Sequence, residues 1–388
     1  VLVGAATGLE WLHRAANDNP YRTASDEATP VPDDVKPVVA EVTTVHGSGA
    51  RWRRPDPQPT PEPVTPTPDP TREPPPEVEQ PEEPERGGEG GLAVLGQPPL
   101  PEDTAWTVGQ TRWPWPDVVH PVVVGMTASD ETSPEAVARY IASRVTDPFE
   151  RVKALHDWVV TRLRYDQAAL TGRRPPQDAR SVFDARTGVC EGYARLLVEL
   201  GQHTGDRILY VTGEVREEHG ELAPVGHAWN AVEVKGAWYL LDATWDDPVV
   251  PDGRDVYRTD YLFIPPKLAA LNHFPDEPRL QLLAEPLSRA AFLRQPLATP
   301  GLAKHHLELE QPGSAVVEAR DTFELELKNP ARRHVLLAVQ PGDAKCGPSD
   351  DETVKLSCPV PRGAKEAVVF VNHQREGSYG SVASFKLR

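Results

Sequence analysis

The sequence predicts three parts: a disordered segment over residues 1–99, an α+β core over residues 100–300 with helices packed on an antiparallel sheet, and an immunoglobulin-like β-sandwich over residues 301–388. Three observations lead to this division. Thirteen of the chain's 43 prolines fall between Pro55 and Pro84. Repeated helix caps with helical apolar spacing follow Pro99 and give way to strand-like runs after Leu200. From Gly301 onward, short alternating runs recur with turn residues between them.

The first segment offers little to bury. Residues 1–53 hold one short helical pattern near Leu9–Ala16 and are otherwise polar. Residues 54–86 form a Pro/Glu/Thr tract with almost no apolar side chains, so burial cannot offset the entropy of ordering it. Polyproline II is its expected local state, which makes it a spacer; its PxxP repeats could also meet a protein partner. The opening Val1-Leu2-Val3-Gly4-Ala5-Ala6 reads either as the end of a signal h-region or as an ordinary start.

Charge and hydropathy exclude several classes. With 41 basic and 58 acidic residues the net charge is −17, which opposes sequence-independent nucleic-acid binding and docking on anionic lipid. No run approaches 18 apolar residues, so no integral membrane span is expected.

The core opens with helices. Ser133-Pro134 reads as N-cap and N1 of a helix reaching about Val145. Asp147-Pro148-Phe149-Glu150 reads as a second start with a capping-box glutamate, followed by Val152, Leu155, Val159 and Leu163 at helical spacing. A third helix follows Gly188. Tyr193, Leu196, Leu197 and Leu200 recur at i, i+3, i+4 and i+7, which puts Cys190 in the first turn. There the unpaired N–H groups and the helix dipole favour a thiolate, and the same N–H groups are candidate oxyanion donors.

Residues 226–242 read as two strands joined at Lys235-Gly236. With a two-residue turn, Val234 faces Ala237 and Trp229 faces Asp242. His227 and Asp242 then project from one face as diagonal neighbours, within reach of an imidazole–carboxylate hydrogen bond. Thiol, imidazole and carboxylate are the parts of a Cys190–His227–Asp242 relay, in which the histidine deprotonates the thiol and the aspartate holds the ring. Trp229 and Trp245 flank the relay, either as cleft walls or as core.

These residues together resemble the transglutaminase-like superfamily of papain-like fold. The carriers are Gly-Val-Cys-Glu-Gly-Tyr-Ala at 188–194, Gly-His-Ala-Trp-Asn-Ala-Val at 226–232 and Trp-Tyr-Leu-Leu-Asp-Ala-Thr-Trp at 238–245. Upstream, His156-Asp157-Trp158-Val159 and Arg164-Tyr165-Asp166 look like the family's helix end. Downstream, Tyr261–Pro266 and His273–Pro278 resemble its kyphoscoliosis-peptidase branch, which often carries a β-sandwich after the core. The resemblance implies an acyl-enzyme mechanism on a protein or peptide amide, with Cys190 as nucleophile, His227 as base, Asp242 as orienter and Gln177 as an oxyanion aid.

Three functions fit that set: a cysteine peptidase or amidohydrolase, a protein-glutamine γ-glutamyltransferase, and a non-catalytic scaffold using the same core. No cofactor is required. No metal is expected, since paired close ligands such as CxxC or HExxH are missing and His305-His306 would point to opposite faces of a strand. Trp113 and Trp115 read as a Trp-Pro cover over a domain edge. In the C-terminal part, Thr322–Leu327, His334–Val339, Val354–Cys358, Ala367–Val371 and Val382–Leu387 read as strands. Cys346 and Cys358 could form a disulfide; such a bond would favour an exported protein, so an extracytoplasmic or cell-envelope location is preferred to a cytoplasmic one.

Overall fold

A computed structural model describes residues 106–216, 222–247, 256–342 and 344–388. The segment expected to be disordered, with the tract at 54–86, lies outside the described residues.

The helices start where their caps require. Ser133 caps α1 (Pro134–Ala142): its hydroxyl accepts from the Ala136 N–H, and Pro134 fills the first position, where no amide is needed. The helix ends three residues before Val145 because the Ser143 N–H already turns back to the Arg139 and Ile141 carbonyls. Asp147 caps α2 (Pro148–Arg162) by accepting from the Phe149 and Glu150 N–H groups. The expected capping box does not close, because the Glu150 carboxylate instead takes the Arg112 guanidinium at 2.9 Å.

After α2, β1 (Arg164–Tyr165) pairs in parallel with β2 (Thr187–Gly188), with α3 (Ala179–Ala185) between them. The chain then enters α4 (Cys190–Thr204), which ends at Gly205 with φ 80°. Tyr193, Leu196, Leu197 and Leu200 are all buried, as their spacing predicts.

Helix α4 lies on a five-stranded sheet of β3 (Arg207–Val215), β4 (His227–Val234), β5 (Ala237–Leu241), β6 (Leu262–Ile264) and β7 (His273–Pro275). The order is β6-β5-β4-β3-β7, and every neighbouring pair is antiparallel. Leu196, Leu200, Val232 and Leu241 belong to the core between helices and sheet, while Trp229, Ala231, Leu240 and Tyr261 form a second apolar cluster. The β4–β5 register is the expected one: Val234 faces Ala237 and Asn230 faces Leu241. Lys235 and Gly236 both have positive φ, at 53° and 77°, as a two-residue turn matched to strand twist demands.

The C-terminal part joins β8 (Leu297–Ala298), β9 (Glu308–Gln311), β10 (Val316–Val317), β11 (Thr322–Lys328), β12 (His334–Gln340), β13 (Ala344–Ser349), β14 (Thr353–Pro359), β15 (Glu366–Asn372) and β16 (Gly380–Leu387) into two sheets. One runs β10-β16-β15-β12-β13 with β8 on β16; the other runs β14-β11-β9. Phe323, Leu325 and Leu327 of β11 alternate inward and share one core with Val335, Leu337 and Val339 of β12. A disulfide between Cys346 on β13 and Cys358 on β14 ties the sheets together, with Cα atoms 5.6 Å apart. All five expected runs are strands. His305 and His306 are not in a strand; they follow a short helix over Pro300–Lys304. Among the described residues no helix is long and apolar enough to cross a membrane.

Candidate active site

Two junctions meet at one end of the five-stranded sheet. One is the start of α4, which presents Cys190. The other is the end of the β4–β5 hairpin, where His227 opens β4 and Asp242 follows the last residue of β5. Asn230 fixes the helix over the sheet: its buried amide donates to the Ala194 carbonyl of α4 at 3.0 Å and to the Leu209 carbonyl of β3 at 3.1 Å.

Cys190 is the first residue of α4 and is partly buried. Burial pushes its thiol up, but a hydrogen bond with His227, the charge of that ring and the Ala228 backbone outweigh burial and bring it below the ordinary thiol range. The start of a helix adds a dipole of the same sign, which favours the anion.

His227 Nε2 lies 2.6 Å from Asp242 Oδ2. With Nε2 taken by Asp242, Nδ1 is the ring nitrogen left to interact with the Cys190 thiol. Burial alone would lower the imidazole, yet the Asp242 carboxylate and the Cys190 sulfur together raise it to about 10. Asp242 shows the reverse balance: burial pushes it up, and the His227 cation with its hydrogen bond holds it well below the usual carboxylate range. Its other oxygen accepts from the Thr244 and Trp245 N–H groups at 2.9 and 3.2 Å.

The remaining expected residues fall into different places. Gln177 is buried beneath the start of α4: its Oε1 accepts from the Val189 N–H at 2.9 Å, and its amide donates to the Pro175 carbonyl at 3.0 Å. These contacts brace the turn that carries Cys190. Gly192 is needed for that fit, since a Cβ there would lie 2.7 Å from both Gln177 Oε1 and Val182 Cγ2. Trp229 is 3% exposed and packs under the imidazoles, stacked on His227 at a centroid distance of 5.9 Å. Trp245 is partly buried and sits 5.6 Å from the His227 ring. Trp115 is buried, with the Arg112 guanidinium over its ring, and the Trp113 indole donates to the Asp260 carbonyl, so both serve packing.

Sequence reasoning missed two residues of this site. Tyr165, on β1 beside Gly188, faces Cys190; burial and the negative charge of Cys190 and Asp242 raise its phenol to about 12. His273, on β7, approaches Asp242 Oδ2 with Nε2 at 3.0 Å. Both residues stand inside segments that carry the family resemblance, which was the available signal. A further buried network anchors the loop after Asp242: His156 on α2 meets Asp246 at 3.0 Å, and Asp246 accepts from the Tyr261 N–H at 3.0 Å.

His227, Asp242 and His273 bring two nitrogens and an oxygen within 4.8 Å of one another. Those atoms are joined by contacts of 2.6 and 3.0 Å into an imidazole–carboxylate–imidazole chain.

Known proteins share this core. Residues 135–243 match the family described as the transglutaminase-like superfamily, a span that holds Cys190, His227 and Asp242. The kyphoscoliosis peptidase of Homo sapiens is 30% identical over 168 residues, covering 41% of this chain and 25% of that protein. Its Mus musculus counterpart is 30% identical over 153 residues, covering 37% of this chain and 23% of that protein. This chain therefore spans about a quarter of the length of the curated relatives it matches. A crystal structure described as that of a TGase aligns at 18% identity and a TM-score of 0.25, covering 31% of this chain and 34% of that one. Over residues 135–243, where helices pack on an antiparallel sheet, this chain carries a domain of the transglutaminase-like superfamily.

Proposed function

We propose that this chain performs thiol-dependent acyl transfer on protein or peptide amides, with Cys190 as nucleophile, His227 as base and Asp242 as the group that orients the ring. Water is the proposed acceptor, which makes the activity that of a cysteine peptidase or amidohydrolase. The observation that carries this reading is a thiol at the first residue of a helix, held below the ordinary thiol range by a neighbouring imidazole that itself meets a buried carboxylate at 2.6 Å.

The steps follow from that geometry. The Cys190 thiolate attacks the amide carbon; a C–S bond forms, and the carbonyl electron pair moves to oxygen. The N–H groups at the start of α4 are the candidate donors to that oxyanion. Gln177 acts by holding Val189, and so the turn, in place. The tetrahedral species collapses, the C–N bond breaks, and the His227 imidazolium gives its proton to the departing nitrogen. Neutral His227 then takes a proton from water as the oxygen attacks the thioester, releasing the acid and restoring thiolate and imidazolium.

The identity to proteins named as peptidases supports water as acceptor. The superfamily match supports keeping an amine in second place, which would make the activity γ-glutamyl transfer. Incubating the full chain with a peptide-amide library, with and without a primary amine, tests both. Released free acid supports hydrolysis, amine incorporation supports transfer, and neither product, with Cys190 reacting as an ordinary thiol, leaves the scaffold reading. We read the C-terminal module as an immunoglobulin-like sandwich, supported by two sheets around one core with a disulfide between them. That disulfide also supports an extracytoplasmic or cell-envelope location.

A further inference from the structure

His273 has no part in the steps above, yet it touches the same carboxylate oxygen as His227. Asp242 Oδ2 lies 2.6 Å from His227 Nε2 and 3.0 Å from His273 Nε2. The His273 ring is buried among Trp229, Trp245 and Tyr261, with centroids 4.9, 4.4 and 5.4 Å away. Its Nδ1 lies 2.7 Å from Asn272 Oδ1, and the Asn272 Nδ2 group donates to the Tyr261 hydroxyl at 2.8 Å. His273 thus lies in a chain of polar groups that runs from Tyr261 to Asp242 and on to His227 and Cys190.

Proton counting fixes the direction of that chain. A carboxylate oxygen can only accept, so His273 must carry its proton on Nε2. A neutral ring then has a bare Nδ1, which needs a donor. As placed, Asn272 turns its oxygen to Nδ1; turned end for end, which amide shape allows, it puts its NH₂ on His273 as the donor and its oxygen on the Tyr261 hydroxyl. The alternative, a doubly protonated His273, would put a second buried cation beside the His227 imidazolium. Burial and the His227 charge both oppose that, although Asp242 favours it, and the net direction for His273 is downward.

Resting on the acyl-transfer reading, we infer that His273 is a positioning residue: a neutral imidazole that donates from Nε2 to Asp242, holds that carboxylate against His227 and so supports the imidazolium partner of the Cys190 thiolate. The titratable groups facing this chain are Cys190 at the start of α4, Tyr165 on β1, Tyr261 before β6, and Asp246, whose charge reaches Tyr261. Of these only Cys190 touches His227 in the relay. Removing the His273 donor should therefore act on His227 through Asp242.

The test uses the full chain with ¹⁵N-labelled histidine, read by imidazole NMR across pH, with His273→Phe and His273→Gln. Phenylalanine keeps the aromatic packing and deletes the donor; glutamine restores an N–H. In the parent chain, His273 should be neutral with its proton on Nε2 near pH 7. In H273F the His227 titration should fall by about one pH unit, the size expected for losing one hydrogen bond to a charged group, and H273Q should recover part of it. The alkylation midpoint of Cys190 should rise in H273F and return toward the parent in H273Q. A merely structural role would lower the melting temperature in H273F without moving either midpoint. A doubly protonated His273 in the parent, or an unmoved His227 titration in the folded variants, overturns the inference. The parent spectrum needs no variant and stands even if H273F does not fold. An ordinary thiol at Cys190 in the parent would sink the acyl-transfer reading, whereas the His273–Asp242–His227 coupling is still decided by the NMR titration.

Discussion

His227 and Asp242 stand 15 residues apart in the chain and meet at 2.6 Å because the hairpin between them turns on two residues, Lys235 and Gly236. One residue more or less in that turn would send the two side chains to opposite faces of the sheet. The contact therefore depends on the turn as much as on the residues that make it.

Cys190 should alkylate with iodoacetamide at a pH midpoint below the ordinary thiol value of about 8.5. His227→Ala should raise that midpoint toward or above the ordinary value, since burial then acts on the thiol without the neighbouring imidazole. Peptide mapping by mass spectrometry assigns the label to Cys190, which is the free cysteine beside the disulfide pair. Equal midpoints in the two proteins would remove the thiolate–imidazolium pair.

Asp242→Asn should reduce amide turnover by about 10³–10⁴-fold, because an amide in that position no longer stabilises the imidazolium or fixes its tautomer. The same substitution should change how stability depends on pH. The Asp242 carboxyl is held down in the fold, so its contribution is complete above its ordinary value of 3.8 and is lost as pH falls through the lower folded value. His227 is raised to about 10, so its contribution is complete below 6.5 and is lost as pH rises through about 10. Melting temperatures measured from pH 2 to 10 should show this pair at full strength between about pH 4 and 6.5, and D242N should flatten the curve on both sides.

Gly192→Ala should destabilise the chain by about 1–3 kcal/mol, as overpacking of a close-packed site does. The added methyl lands against Gln177 and Val182, so it should also disturb the Val189 brace and slow Cys190 alkylation. Urea unfolding and the alkylation rate check the two effects. A fully stable G192A with parent reactivity would mean the close approach carries no weight.

Replacing Cys346 and Cys358 together by Ala should cost about 3 kcal/mol, the loop-entropy value for a short closed loop. The loss should show in urea unfolding of the parent under reducing conditions and be absent when the double variant is treated the same way. Cys190 alkylation should keep its midpoint in the double variant, since the bond lies in the C-terminal two-sheet part. A shifted midpoint would show that the two parts are coupled.

Much of this architecture is legible in local sequence. Ser133-Pro134 and Asp147-Pro148 announce helix starts because a cap needs a particular side chain at a particular step. Tyr193, Leu196, Leu197 and Leu200 announce the buried face of α4, and with it the place of Cys190 at the helix start. Glu150 shows the limit: its spacing suggests a capping box, yet its carboxylate takes the Arg112 guanidinium from 38 residues away instead. Trp229 is similar, since aromatic identity suits cleft and core alike and only burial separates them.

The placement of Cys190 at a helix start and of His227 beside Asp242 was legible in the sequence alone, because short-range rules fix it: a helix start and two strands joined by a two-residue turn. His273 was decided only by tertiary structure. Its strand, β7, pairs with β3 at the sheet edge opposite β6, and that pairing brings His273 to Asp242 across 31 residues of chain. Period and turn chemistry describe neighbours along the chain. Which distant strand completes a sheet edge is settled by packing of the whole core, so the second imidazole on Asp242 appears only in the fold.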